Sequence, residues 1–326
     1  MRYAITHVTR FDYDSPVSES HMEVRMQPRT GERQTCLRYV LDVEPHARPH
    51  AFRDHLSNWV DYFSVPSRHQ SLSITARADV QVEPPAELPQ SLDTAAWLEV
   101  DEWSRHDAHW DLRKPSSFAV WTPALIAYAD SIGAARGRST DPLSTARDIT
   151  SAVHRDFQYE PESTRVNSTI DEALGSRKGV CQDLSHITVA LLRRLDLPAR
   201  YVSGYLAPAA NDIDGGAASS ATHAWIEVLL PQLGWVGFDP TNDIEAGERH
   251  VRVAIGRDYA DVPPARGVCK GTAGSALTVT VTITPSERSE SLEPFISSAG
   301  TSISQIPSGI ERTDRQSLQQ QQQQQQ

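Results

Sequence analysis

Residues 179–184 are Gly179-Val180-Cys181-Gln182-Asp183-Leu184, a glycine followed by a cysteine at the start of a helical pattern. Glycine reaches backbone conformations that are closed to other residues, so we expect Gly179 to let the chain turn sharply into this helix. Apolar residues then recur every three or four positions on one face, at Leu184, Ile187, Leu191 and Leu195. The segment therefore predicts a helix that starts at a cysteine, packs one face on a core and ends before Pro198.

Strands are predicted on the C-terminal side of this helix. Arg200 to Leu206, Ala224 to Leu230 and Trp235 to Phe238 have the composition of strands, and Leu277 to Ile283 alternates strictly. Because helices come first and a mostly antiparallel sheet follows, this part of the chain is predicted to be an α+β domain.

The first 84 residues alternate between apolar and polar side chains. The clearest stretches are Leu37 to Val43, Trp59 to Val65 and Leu72 to Val82, with proline and glycine between them. This pattern predicts a β-rich domain over residues 1–84. Pro84-Pro85 ends it, because proline cannot donate a hydrogen bond to a sheet.

The periodicity becomes helical from residue 85 onwards. Helix starts are predicted at Pro123 and Pro142, each of which follows a residue that can cap a helix. Two overlapping capping-box patterns in Ser168-Thr169-Ile170-Asp171-Glu172 predict a further short helix, with Gly175 as its end. We divide this part into a connecting helical region over 85–140 and a core domain over 141–284.

The residues from 285 to 326 form a separate region of different composition. They are rich in serine and glutamine and end in eight consecutive glutamines, Gln319 to Gln326. The segment has too little apolar surface to fold, so it is predicted to be disordered.

Charge and cysteine content exclude several classes of protein. The chain has 326 residues and a net charge of −11, which argues against binding to nucleic acid or to an anionic membrane. Its N-terminus alternates like a strand and not like a secretory signal. The three cysteines include no CxxC pair and predict reduced thiols in the cytoplasm, although a bridge between Cys36 and Cys269 is the alternative.

A nucleophile, a base and an orienting group are predicted in chain order. Cys181 begins a helix, whose amide dipoles stabilise a thiolate. His223 opens a strand and could serve as the base, and Asp239 closes the next strand and could hold the imidazole. The alternatives are a buried structural cysteine, a surface histidine and an aspartate that caps the turn at Pro240.

The predicted hairpin brings Asp239 back towards His223 but leaves a gap. If Leu230 pairs with Trp235, Asp239 lies opposite Ile226, which is roughly 10 Å short of His223. A wider loop or a bulge is expected to close this gap.

Two other polar residues near Cys181 have simpler interpretations. His186 lies off the face of Cys181, so we expect it to be packed or exposed; a zinc site of Cys181, His186 and His223 lacks the usual ligand spacing. Asp183 lies in the first turn, where a carboxylate interacts favourably with the helix dipole. No phosphate loop or dinucleotide motif is present, so neither a metal nor a cofactor is predicted.

Four blocks of sequence together resemble the bacterial transglutaminase-like family, whose members are often described as candidate cysteine proteases. They are Gly179 to Asp183, Pro198 to Tyr205, His223-Ala224-Trp225 and Gly234 to Asn242, and the block Val253 to Pro264 is similar to the one that follows the family's catalytic aspartate. The likeness covers residues 1 to about 284, including the family's β-rich N-terminal domain. Cys269 departs from it, since an aromatic residue is expected there.

The resemblance implies Cys181 as nucleophile, His223 as general base and acid, and Asp239 as orienting residue. It also implies an α+β, papain-like transglutaminase core, with helices on an antiparallel sheet, after the β-rich domain. The expected activity is hydrolysis of a peptide or protein amide, or acyl transfer to an amine, through a thioester. The backbone N–H of Cys181 is one expected oxyanion donor, and Tyr159 is a candidate for the second. A noncatalytic module for protein interaction is the alternative function.

Overall fold

The N-terminal part of the protein is a sandwich of two antiparallel sheets. In this computed structural model, which describes residues 1–134, 138, 140–161, 163–209, 219–220 and 222–286, the first six strands precede every helix. They are β1 (Arg2–Val17), β2 (Glu19–Val24), β3 (Gln34–Glu44), β4 (His50–Arg53), β5 (Trp59–Val65) and β6 (His69–Val82). The predicted β-rich domain is thus confirmed as a fold, and its alternating residues form the inner faces.

Five α-helices follow in the described part of the chain, and they share one core. They are α1 (Trp97–Arg105), α2 (Pro123–Ser131), α3 (Pro142–Asp156), α4 (Ile170–Ser176) and α5 (Cys181–Arg194). A short parallel pair, β7 (Gln158–Tyr159) and β8 (Lys178–Gly179), flanks α4. Within the described ranges, no helix combines the length and the apolar character needed to cross a membrane.

The helix starts are those that the sequence predicts. The side chain of Thr122 accepts a hydrogen bond from the N–H of Leu125, and that of Asp141 caps α3. The capping box at Thr169 is also present, since the carboxylate of Glu172 accepts from the N–H of Thr169 at 3.1 Å. The predicted end at Gly175 is wrong, because α4 continues to Ser176 and ends where Arg177 takes a left-handed conformation (φ 56°).

The helices pack on a five-stranded antiparallel sheet that confirms the predicted α+β class. Its strands are β9 (Ala199–Leu206), β11 (Thr222–Leu230), β12 (Gly234–Asp239), β13 (Ile244–Glu245) and β14 (His250–Gly256), in the order β13-β12-β11-β9-β14. Helix α5 lies at the centre of the shared core, with Leu184, Ile187 and Leu191 buried. Cys181 is therefore fixed at one end of the most buried helix.

The last strands of the described chain return to the N-terminal sandwich. β15 (Ala265–Lys270) pairs with β2, while β16 (Ser275–Pro285) pairs with β1 and also with the short β10 (Ser219–Ser220). The strand predicted at Leu277 to Ile283 is confirmed, but its partners belong to the β-rich part. The division at residues 84, 140 and 284 stays a prediction, and this pairing favours moving 265–285 to the β-rich domain.

Two remaining expectations concern the cysteines and the tail. Cys36, Cys181 and Cys269 are not in disulfide bonds, so the alternative bridge between Cys36 and Cys269 is not formed. The predicted disorder of residues 285–326 concerns a segment of which 287–326 lie outside the described residues.

Candidate active site

Cys181 is the first residue of α5, and the turn before it depends on close packing. The preceding residue, Val180, is extended, and its N–H donates to Oδ2 of Asp183 at 2.9 Å. Gly179 does not take the special backbone conformation expected of it, since its φ is not positive. It is needed for space instead, because a Cβ at this position would lie 2.9 Å from the Cβ of Asp183.

Asp183 fixes this turn from inside the protein. Its carboxylate is buried and also accepts a hydrogen bond from Oγ1 of Thr164 at 2.6 Å. Burial raises the pKa of Asp183, although both hydrogen bonds act in the opposite direction. Asp183 lies in the first turn of α5, as predicted. Its two hydrogen bonds also give it a structural role, because they hold Thr164 and Val180 in place.

Tyr159 lies beside the same turn. It pairs with Gly179 across the parallel strands β7 and β8, and its side chain is 43% exposed. Burial of the hydroxyl raises the pKa of Tyr159 to about 12, and the nearby thiol of Cys181 acts in the same direction. The phenol therefore stays protonated at neutral pH, within electrostatic range of Cys181.

The thiol of Cys181 is enclosed. Cys181 is only 2% exposed, and it packs in a cluster with Tyr201, Ala224 and Tyr259. The thiol also forms a hydrogen bond with the ring of His223. The structure thus brings together the first two of the residues singled out in the sequence, across the contact between α5 and β11.

The hairpin of β11 and β12 closes the predicted gap by a tighter loop, so the expected wider loop or bulge is wrong. Leu230 pairs with Gly234, one residue earlier than expected, and Ile226 pairs with Phe238. Continued by one residue, this register sets Asp239 opposite Trp225. Asp239 and His223 are then diagonal neighbours on one face, a separation that long side chains can span.

Asp239 is the centre of a dense set of hydrogen bonds. Its fully buried carboxylate accepts on Oδ2 from Nε2 of His223 at 2.7 Å, Nε2 of His250 at 3.1 Å and Nδ2 of Asn242 at 2.7 Å. Oδ1 accepts from the N–H groups of Thr241 at 3.0 Å and Asn242 at 3.3 Å. Five donors on one carboxylate fix its orientation and stabilise its charge.

The pKa values of His223 and Asp239 are shifted in opposite directions. Burial lowers the pKa of His223, but the hydrogen bonds with Asp239 and Cys181 outweigh it and raise the pKa above its usual value of 6.5. Burial would raise the pKa of Asp239, but the hydrogen bonds from His223 and His250 outweigh it and hold the pKa well below its usual range. The pair is therefore an imidazolium held by a carboxylate at neutral pH.

Nε2 of His223 is engaged by Asp239, which leaves Nδ1 as the ring atom for Cys181. A ring held in this way can carry the proton of the thiol on the side of Cys181 while the carboxylate stabilises its positive charge from the other side. The arrangement can therefore generate a thiolate and later return a proton to a leaving group.

His250 belongs to the same cluster, and the sequence did not single it out. It is the first residue of β14, three residues before the block at Val253 that carries the family resemblance. Its only sequence signal is that, like His223, it is a histidine at the start of a strand. The sequence of residues 246–250 contains no pattern that predicts a contact with Asp239.

His186 is packed away from this cluster. Nε2 of His186 accepts from the N–H of Tyr259 at 3.2 Å, and the ring stacks on Phe118 with centroids 5.2 Å apart. Burial lowers the pKa of His186 to about 4, so the ring is neutral. It is thus a buried, hydrogen-bonded histidine, one of the two outcomes expected.

His223, Asp239 and His250 are the group of described residues with spacing suited to a metal, since their ligand atoms all lie within 4.8 Å of one another. Their chemistry does not fit an ion. Nδ1 of His250 accepts from the N–H of Gly247 at 3.1 Å, so the proton of the neutral ring is on Nε2, the atom that faces Asp239. A metal would need a lone pair at that atom.

Comparisons with known proteins identify a family and several relatives. A model of the bacterial transglutaminase-like N-terminal region matches residues 3–81, and a model of the transglutaminase-like superfamily matches residues 128–240. An uncharacterized protein of Mycobacterium leprae is 31% identical, over 87% of this chain and 98% of its own length. An uncharacterized protein of Mycobacterium tuberculosis is 34% identical, over 88% of this chain and 93% of its own length.

Two further relatives differ in how much they share. A protein-glutamine gamma-glutamyltransferase of Pseudomonas aeruginosa is 31% identical, but over only 34% of this chain and 18% of its own length. A solved structure from Cytophaga hutchinsonii, described as that of a candidate cysteine protease, covers 89% of this chain and 92% of its own. Its TM-score of 0.68 at 21% identity establishes a shared fold.

Proposed function

The chain belongs to the bacterial transglutaminase-like family, and we propose that it is a cysteine enzyme that acts on amide bonds through a thioester on Cys181. The observation that carries this proposal is the contact of His223 with both the thiol of Cys181 and the carboxylate of Asp239, the latter at 2.7 Å. We assign Cys181 as nucleophile, His223 as general base and acid, and Asp239 as the residue that orients the ring.

In the first half-reaction the thiolate of Cys181 attacks the carbonyl carbon of the substrate amide. The C–S bond forms as the carbonyl π electrons move to oxygen, and His223 holds the proton that came from the thiol. The oxyanion then collapses, the C–N bond breaks, and His223 gives its proton to the leaving amine or ammonia. The product of this step is a thioester on Cys181.

In the second half-reaction an acceptor attacks the thioester. His223 removes a proton from the attacking amine or water as the new bond to carbon forms, and the C–S bond breaks to restore the thiolate. An amine as acceptor gives transamidation, and water gives hydrolysis. The substrate in either case is a peptide or protein amide.

The oxyanion of each half-reaction requires donors near Cys181. We propose the backbone N–H of Cys181, which lies at the positive end of α5, as the first donor. The hydroxyl of Tyr159 is our candidate for the second. Its strand pairing with Gly179 and its electrostatic interaction with Cys181 support this role, and a phenol can donate at neutral pH.

One observation favours the alternative function, a noncatalytic module for protein interaction. Cys181 is 2% exposed, so an acyl group can reach it only along a narrow path or after movement of side chains. An inert thiol in the core of a binding module would have the same burial. The two functions differ in whether Cys181 forms a covalent bond with substrate.

Ammonia release from glutamine-containing peptides, with and without a primary amine, tests the proposal. The wild type should release ammonia, and Cys181→Ala should be slower by a factor of about a thousand or more. Cys36→Ala is the matched control, because Cys36 lies on β3, outside the cluster around Cys181, and should act like the wild type. Equal rates of ammonia release, together with equal rates of peptide-bond cleavage in the same peptides, for the wild type and Cys181→Ala would refute the enzymatic function. Incorporation of the amine would distinguish transamidation from hydrolysis.

We also propose a cytoplasmic location, supported by three cysteines that are not in disulfide bonds. Fractionation of cells followed by detection with an antibody tests this, and recovery of the protein with secreted proteins would contradict it.

A further inference from the structure

His250 reaches Asp239 from a distant part of the sheet. β13 and β14 lie at opposite edges of the five-stranded sheet, so the chain crosses the sheet between Glu245 and His250. The ring of His250 is buried, packs edge-on against Trp225 with centroids 5.1 Å apart, and directs Nε2 to Oδ2 of Asp239 at 3.1 Å. This contact joins two segments that have no hydrogen bonds of strand pairing between them.

The protonation state of His250 is set by a local turn. The N–H of Gly247 donates to Nδ1 of His250 at 3.1 Å, and the N–H of His250 donates back to the carbonyl oxygen of Gly247 at 3.0 Å. A proton on Nδ1 would face the N–H of Gly247, so the charged ring is disfavoured. Burial also lowers the pKa of His250. The ring is thus a neutral donor to Asp239 through Nε2.

Three donors compete for Oδ2 of Asp239, and two of them are neutral. Asn242 and His250 each withdraw part of the negative charge that would otherwise act on His223 alone. Because these donors arrive from different segments, the carboxylate cannot rotate without breaking one of them. The result is a fixed acceptor whose attraction for the imidazolium of His223 is moderated.

We infer that His250 is a positioning residue, a second histidine that fixes the carboxylate of Asp239 against His223 and shares its charge. The expected effect of His250 on the reaction rests on the proposed function, whereas its expected effect on the pKa of His223 does not. The titratable and charged groups that face this pair are Cys181, which contacts His223, and Arg249, which lies near His250.

Two substitutions separate the role towards Asp239 from the role in the turn. His250→Gln keeps an amide N–H close to the position of Nε2, so it retains a donor to Asp239 and loses the acceptor for Gly247. His250→Asn keeps an oxygen close to the position of Nδ1, so it retains the acceptor for Gly247 and loses the donor to Asp239. Each variant loses one hydrogen bond, and their free energies of unfolding should be similar.

The kinetic readout is the split between kcat and KM for the amide substrate. We expect kcat of His250→Asn to fall about tenfold or more, with KM within about twofold of wild type, because the ring of His223 is less well oriented. His250→Gln should be faster than His250→Asn by a factor of about five or more. Equal losses in the two variants, or no loss in either, would overturn the inference.

The second readout does not depend on any substrate. The pKa of His223 is measured by NMR with ¹⁵N-labelled histidine in the wild type and both variants. Loss of the donor in His250→Asn leaves more of the carboxylate's charge to His223, so the pKa of His223 should rise by about half a unit or more, and His250→Gln should lie closer to wild type. An unchanged or lower pKa in His250→Asn would contradict the inference. If the wild type lacks activity but this shift is seen, only the proposed function fails.

Discussion

Gly179 and the side chain of Asp183 are in direct contact, and this contact shapes the turn in front of Cys181. A Cβ at Gly179 would lie 2.9 Å from the Cβ of Asp183 and 3.0 Å from its Oδ2. The same Oδ2 accepts the N–H of Val180 at 2.9 Å. Any side chain at Gly179 must therefore displace the carboxylate that holds the residue before Cys181.

We expect Gly179→Ala to lower the free energy of unfolding by about 1–3 kcal/mol, the usual range for an overpacked site. Urea denaturation measures this change. Alkylation of Cys181 by iodoacetamide should also slow in this variant, because the start of α5 shifts relative to His223.

Gly175→Ala is the matched control for this substitution. Gly175 lies within α4, and a Cβ there meets no atom within 4 Å. The variant should be as stable as wild type or up to about 1 kcal/mol more stable, since alanine favours a helix over glycine. A similar loss of stability in both variants would contradict the packing account of Gly179.

Thr164 is expected to stabilise the buried charge of Asp183 through its hydroxyl. Thr164→Val removes the donor to Oδ2 and should lower the free energy of unfolding by about 1–3 kcal/mol, because a buried acceptor loses a partner. Thr164→Ser keeps the hydroxyl and loses one methyl group, so it should lose only about 1 kcal/mol. Denaturant unfolding of both variants checks this, and a loss in Thr164→Val that is no larger than the loss in Thr164→Ser would contradict a stabilising role for the hydrogen bond.

The stability of the protein should depend on the ionisation of Asp239 at acid pH. The pKa of Asp239 is held below its unfolded value of 3.8, so this group contributes stability that is present above pH 3.8 and is lost as the pH falls towards the folded value. Its share of the loss is up to about 1.4 kcal/mol per pH unit.

In Asp239→Asn the side chain at this position cannot ionise. The variant should therefore not show the part of the acid-induced loss of stability that comes from Asp239. The difference in free energy of unfolding between wild type and Asp239→Asn, measured in urea from pH 5 to pH 2.5, should therefore narrow as the pH falls. A difference that stays constant over this range would mean that the carboxylate of Asp239 is not stabilised in its charged form.

The features predicted correctly from the sequence are those governed by neighbours in the chain. Thr122 and Asp141 cap helices because a capping side chain bonds to amides two or three residues away. The alternation at Trp59–Val65 matches β5 at both ends, since one face of that strand is buried. Local order along the chain also placed Cys181 at a helix start.

The features that were missed depend on the register between strands and on distant segments. The predicted strand pairing places Asp239 one residue too far from His223, because the hairpin loop is one residue shorter than predicted. His250 approaches Asp239 only after the chain crosses the sheet, which no local pattern records. The pairing of β16 with β1 was not predicted for the same reason, since the sequence of a strand does not show which other strand it pairs with.

The selectivity of thiol alkylation tests the central claim, that His223 activates Cys181, most directly. Burial raises the pKa of Cys36 to about 11 and also raises the pKa of Cys269, so few thiolates are present at these two sites at pH 6. With substoichiometric iodoacetamide at pH 6 and mapping by mass spectrometry, we predict that Cys181 is labelled first and that His223→Ala abolishes this preference. Labelling of Cys36 or Cys269 ahead of Cys181 in the wild type would contradict the account.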